Sequence, residues 1–147
     1  MFHFKLVSLT GVKFDGDVAE VILPTLEGQI GVEAHHMPLV SVATNGVISV
    51  RRNPKDRDGE REYFATNGGV VEVSNNVLRV LADEADHADD INEAEAKVAF
   101  DRAQAMKADA KDQLSLDHAQ AMVDRHAVRI QVASLSATAK TDSLSCI

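Results

Sequence analysis

Phe2, Phe4 and Leu6 alternate with His3, Lys5 and Val7, the period-two pattern of a strand with one buried face. Similar short apolar runs recur through the first half of the chain. Val18 to Leu23 stops at Pro24, Leu39 to Ala43 stops at Asn45-Gly46, and Val47 to Val50 leads into a charged loop. Each predicts a strand bounded by turn residues. Val70-Val71-Glu72-Val73 and Val77 to Leu81 flank Ser74-Asn75-Asn76, which predicts a hairpin because Asn tolerates the left-handed turn conformation. So many short strands predict a sandwich or flattened barrel, with Val, Ile and Leu filling the core because aromatics are only 4% of the chain.

Beyond the eighties the period changes to three and four. Ala96, Ala99, Ala103, Met106 and Ala110 form one stripe, and Leu116, Ala119, Val123, Ala127, Ile130, Ala133 and Ala137 form another. Asp90 with Glu93 resembles a capping box, and Ser115 with Asp117 marks a second helix start. Lys107 and Lys111 fall where the first helix ends, favourably placed against its dipole. Asp112-Gln113-Leu114 is too short for anything but a reversal, which predicts an antiparallel two-helix hairpin. Alanine buries little area at roughly 25 cal/mol per Å², so such a seam is weakly held. Whether the hairpin is a static appendage or a releasable one stays open at this level.

Composition sharpens the boundary. All eight glycines lie at or before Gly69 and all three prolines at or before Pro54, whereas residues 88–139 contain fourteen alanines and neither Gly nor Pro. Strands first and helices second argue for segregated modules: a β domain over 1–86, a helical hairpin over 87–137 and a tail over 138–147 that is expected to be disordered. Fifteen Lys and Arg against twenty-three Asp and Glu leave a net charge of -8, which gives nucleic-acid binding no electrostatic basis. Cys146 is the only cysteine, so neither a disulfide framework nor a multi-thiolate metal site is expected. The start lacks a basic n-region before an apolar stretch, and no window approaches a membrane span; neither secretion nor membrane insertion is expected.

Few chemical motifs are present. The chain has no Walker-type phosphate loop, no G-x-S-x-G elbow, no H-E-x-x-H pair and no C-x-x-C. His35 and His36 are neighbours and point to opposite faces of an extended strand, so loop or interface roles are favoured over metal ligation. His118 and His126 are eight residues apart on a helix and are expected in solvent or in the seam. The run Asp83, Glu84, Asp86, Asp89, Asp90, Glu93, Glu95 reads as a solvated junction that also puts negative charge at a helix N-terminus, rather than as a cation site. Arg51 to Glu62 mixes both signs with turn formers and is expected to be an exposed hairpin loop.

Four strings carry a family resemblance: Phe14-Asp15-Gly16-Asp17-Val18; Gly28-Gln29-Ile30-Gly31-Val32 with His36-x-Pro38-Leu39; Asn67-Gly68-Gly69-Val70-Val71-Glu72-Val73; and Val80-Leu81-Ala82-Asp83. In order and spacing they resemble the epsilon subunit of the F-type proton-translocating ATP synthase of bacteria, over about residues 3–137. The resemblance implies a β-sandwich of about ten strands followed by the two-helix hairpin. It implies a non-catalytic rotor subunit of the central stalk, which couples c-ring rotation to the catalytic head through the gamma subunit. Its place would be the cytoplasmic face of the bacterial inner membrane, as a peripheral part of the complex. Implied partners are the gamma subunit, the polar loops of the c-ring, and the alpha and beta subunits when the hairpin is extended and inhibits ATP hydrolysis.

Gln29, Gly31, His36, Pro38 and Leu39 are the implied partner-interface positions, with Gln29 standing where the family string usually has an acid. Some family members sense ATP through a motif of Ile or Leu, Asp, two variable residues, Arg and Ala. Ile91 and Ala96 fit that motif, but Asn92 replaces the acid and Glu95 the arginine; Arg102, Arg125 and Arg129 fall at the places of the helping arginines. A carboxylate in the guanidinium's place repels a triphosphate, so no cofactor is expected and ATP binding should be weak or absent. The competing reading is a small ligand- or metal-binding β-sandwich with a helical dimerisation hairpin. It predicts a homodimer, whereas the first predicts a chain that is monomeric when isolated.

Overall fold

The structure, a computed structural model, describes the backbone of residues 1–145 and the side chains of residues 1–136. Ten strands come first: β1 (Phe2–Ser8), β2 (Gly11–Val18), β3 (Glu20–Thr25), β4 (Gly28–Glu33), β5 (Leu39–Ala43), β6 (Gly46–Arg51), β7 (Glu62–Thr66), β8 (Gly69–Ser74), β9 (Val77–Ala82) and β10 (Ala85–His87). Two helices follow, α1 (Glu93–Ala108) and α2 (Gln113–Ser145). A β-sandwich followed by a helical hairpin is the predicted order. No helix among the described residues is long and apolar enough to cross a membrane.

One hydrogen-bonded path runs β10-β7-β6-β3-β5-β8-β9-β1-β2, with β4 attached to β3. The path folds over at β3 and β5, which share only the pair Thr25 and Ala43. The two halves enclose Phe4, Leu6, Val18, Leu23, Ile48, Phe64, Leu78 and Val80, all essentially without solvent contact. Phe14 on β2 meets Phe64 on β7 edge-on at 6.1 Å, joining the halves at the open end. Alternation in β1 is strict: Phe2, Phe4 and Leu6 point inward, and His3, Lys5 and Val7 outward. The Asn75-Asn76 turn has φ of +51° and +61°, the left-handed pair that its sequence predicts.

Local differences have simple causes. Val18 to Leu23 is two strands, with Val18 ending β2 and the chain turning at Ala19. Pro24 lies inside β3, not at its end, and its ring packs where any Cβ at Gly46 would sit, 2.8 Å from its Cγ. Asn92 caps α1, accepting from the Glu95 N–H at 3.1 Å, because Asp90 is taken up in a 3-10 turn over Ala88–Asp90. Asp112 serves α2 in the same way, accepting from the Ser115 N–H at 2.7 Å. The α2 backbone runs past residue 137, the expected helix end, to Ser145; no Gly or Pro follows to stop it. Of the expected tail over 138–147, residues 146 and 147 lie outside the described residues.

The stripes also differ in detail. On α1 only Ala96 and Ala103 are buried, and Met106 is exposed; on α2 Ala127 is exposed. A second face of α2, Val128 and Val132, packs on Val47, Tyr63 and Ala65 of β6 and β7. It escapes a one-stripe reading because α2 has two neighbours: α1 on one side and the sheet on the other.

Candidate functional site

Three surfaces carry the candidate residues. The first is the β3–β4 hairpin and the segment that follows it. Gln29 and Gly31 are exposed on β4, and a Cβ at Gly31 would meet nothing within 4 Å, so packing does not require glycine there. His36 is half-buried, and its Nδ1 lies 2.7 Å from the Met37 carbonyl oxygen, to which it donates. Met37 and Pro38 are exposed, whereas Leu39 packs against the sandwich core. His35 takes a left-handed φ of +62°, and its N–H donates to Asn76 Oδ1 at 2.8 Å. The two histidines are therefore engaged in shaping the loop, and no group of three or more potential metal ligands converges among the described residues.

The second surface is the outward face of the β2-β1-β9-β8-β5 half. Val12 pairs with Val7, Val7 with Leu81, Leu81 with Val70 and Val70 with Val42. One residue from each of five strands thus builds a continuous apolar row, in which Val12, Leu81, Val70 and Val42 are between 46% and 59% exposed. A shift in register between Leu6 and Val7 brings Val12 into that row. Beside it runs a charged row, Asp15, Lys5, Arg79 and Glu72, basic in the middle and acidic at both ends. An exposed apolar strip of this length flanked by charge makes this face a candidate protein interface. Sequence reading missed it. The available signal was apolar residues at both parities, as in Val70-Val71 and Val80-Leu81, which a strand with one wet face does not need.

The third surface is the junction between α2 and the sandwich. Arg125 grips Glu84 with two nitrogens, its Nε at 2.7 Å, and Arg129 donates to Asp86. Both acids lie at the end of the sandwich, Glu84 between β9 and β10 and Asp86 within β10. The Arg125 guanidinium holds the Glu84 carboxyl below its usual range, outweighing the opposing effect of burial. The acidic run is thus only partly solvated: two of its members are tied to α2. Between them lies a small cleft lined by Asn45, Thr66, Asn67 and Val128, in which buried Asn45 Oδ1 and Thr66 Oγ1 have no hydrogen-bond partner among the described residues.

The positions of the ATP-sensing pattern do not converge. Ile91 and Ala96 are buried in the cluster beneath α2, and Asn92 is spent as a cap. Glu95 and Arg102 line an open depression on α1 with Ala94, Val98 and Ala99, whereas Arg125 and Arg129 line the separate cleft at the junction. The charged loop is exposed at Arg52 to Lys55, but Arg61 turns back to bridge Glu20 on β3 and donates to Ser49 Oγ at 3.1 Å. An exposed loop was expected; an arginine only 10% exposed in its side chain anchors it.

Residues 1–88 match a family model described as ATP synthase, Delta/Epsilon chain, beta-sandwich domain. The ATP synthase epsilon chain of Latilactobacillus sakei is 35% identical over 131 residues, covering 87% of this chain and 89% of that one. The epsilon chain of Gloeobacter violaceus is 34% identical, covering 89% and 96% respectively. Among solved structures, a chain of the Euglena gracilis mitochondrial ATP synthase assembly of OSCP, F1 and c-ring shares the fold with a TM-score of 0.74 at 19% identity, covering 90% of this chain and 79% of that one.

Proposed function

The chain belongs to the delta/epsilon-chain family of ATP synthases, and we propose that it is the non-catalytic epsilon subunit of the central stalk, coupling c-ring rotation to the catalytic head through the gamma subunit. The observation that carries this is the five-strand apolar row. The sandwich core is complete beneath it, so Val12, Val7, Leu81, Val70 and Val42 gain nothing inside this chain and are covered by a partner. Gamma is that partner, and the polar β3–β4 turn with Gln29 and Gly31 meets the c-ring loops. Leu39 acts from beneath that interface, through the core. The complex sits peripherally at the cytoplasmic face of a bacterial inner membrane.

The hairpin regulates. Closed on the sandwich it permits turnover; extended, with Arg102, Arg125 and Arg129 freed for acidic surfaces of the alpha and beta subunits, it inhibits ATP hydrolysis. ATP binding by the isolated chain is weak, supported by Asn92 acting as a cap, Glu95 in the first turn of α1, and Arg125 and Arg129 already neutralised by Glu84 and Asp86.

Adding the full chain to a catalytic head depleted of its epsilon subunit tests the assignment. The wild type should bind and lower hydrolysis. Val70→Asp with Leu81→Asp should fold but no longer bind, because two carboxylates in the apolar row cannot be desolvated cheaply. Undiminished binding by that variant would place the interface elsewhere; no binding by the wild type would revive the ligand-binding sandwich.

A further inference from the structure

His126 is enclosed by the fold at 7% exposure, whereas His118 on the same helix lies in solvent. Its spacing puts it with Ala119, Val123, Ile130 and Ala133 on the α2 stripe that meets α1, whose own buried residues are Ala96 and Ala103. Its Nδ1 is cut off from water and has no hydrogen-bond partner among the described residues. Three charged groups act on it. Arg125 and Arg129 from its own helix oppose a further positive charge, while Glu84 from the end of β9 favours one but is already gripped by Arg125. Burial is the largest influence, and together with the two arginines it pushes the imidazole below its ordinary value of 6.5. A proton there would place a cation in a dry seam of alanines, with a donor that finds no acceptor.

We propose that His126 is a proton-operated release for the helical hairpin: neutral, it lets α2 stay closed on α1 and the sandwich, and protonated, it drives the junction open. The inference rests on the releasable hairpin proposed above. A base that is harder to protonate in the closed form than in the open one leaves closure at full strength above its ordinary value. Closure weakens as pH falls below that value. For a single proton the closed-to-open ratio falls by up to about tenfold per pH unit. Glu84 works in the same direction in a lower window, because its carboxyl is held below its own ordinary value of 4.5. The two groups are therefore separable by pH.

Nuclear magnetic resonance of the full chain, titrated from about pH 8 to about pH 5 across the imidazole range, provides the test. In the wild type the His126 ring should titrate below the ordinary imidazole value, and the amides of Ala65, Thr66 and Val128 at the junction should change along the same curve. His126→Gln cannot take up the proton, so its junction amides should stay unchanged over that range. Core amides such as those of Leu6 and Leu78 report that it is folded. A His126 ring that titrates at its ordinary value without moving the junction would overturn the proposal, as would the wild-type change persisting in His126→Gln. Arg125→Ala with Arg129→Ala separates the two ideas. If that variant opens at neutral pH while the wild type stays closed on acidification, only the histidine's role fails; if it too stays closed, the releasable hairpin fails with it.

Discussion

The sandwich closes on Phe4, Leu6, Leu23, Ile48, Phe64 and Leu78, none more than 1% exposed, whereas the hairpin closes on itself through Ala96, Ala103 and Ala119 and on the sheet through Val128, Val132 and two ion pairs. The same chain thus uses large, dry, interlocking side chains in one region and small or half-wet contacts in the other. Burying Phe or Leu stabilises by about 2 kcal/mol each, while ion pairs exposed to this degree contribute about 1 kcal/mol or less and fade with salt. The lesson is a division of labour: one region is held by large buried side chains, and the other by small or half-wet contacts that are cheaper to break.

Four changes probe that contrast, beginning with the largest effect. Phe4→Ala empties the centre of the sandwich and should cost about 3–5 kcal/mol of global stability, lowering the denaturant midpoint of strands and helices together. Val132→Ala removes methyl groups that are wholly buried between α2 and the sheet, and should cost about 2 kcal/mol. In that variant protease cleavage within α2 should rise while the sandwich midpoint hardly moves. Glu84→Gln leaves Arg125 half-partnered and should weaken docking by about 1 kcal/mol. The loss should be seen at neutral pH and vanish as the wild-type carboxyl itself takes up a proton below its usual range, because a depressed carboxyl stabilises only while ionised. Leu81→Ser, on the outward row, should change thermal stability by under about 0.5 kcal/mol, yet weaken partner binding measured by calorimetry.

The division was legible in the sequence where periodicity is unambiguous. Strict alternation at Phe2, Phe4 and Leu6, the Asn75-Asn76 turn and the glycine-free second half point to the same strands, hairpin and helices that the structure contains. Positions set by tertiary competition were harder to read. Asp90 looks like a cap until the preceding 3-10 turn claims it and Asn92 takes the role. Val128 and Val132 fall off the expected stripe because α2 faces the sheet as well as α1. Pairing between residues some forty positions apart, such as Arg125 with Glu84, leaves no local pattern at all. The outward row of Val12, Val7, Leu81, Val70 and Val42 becomes visible only once strand register is known, since its members come from five separate strands.

Native-state hydrogen exchange on the isolated full chain tests the central contrast most directly, because it measures the opening free energy of each segment separately. The account predicts that amides of α1 and α2 exchange through an opening several kcal/mol cheaper than that of β1, β8 and β9, and that raising salt lowers the helical value alone. Equal opening energies in helices and strands, unmoved by salt, would mean that hairpin and sandwich form one cooperative unit and would contradict it.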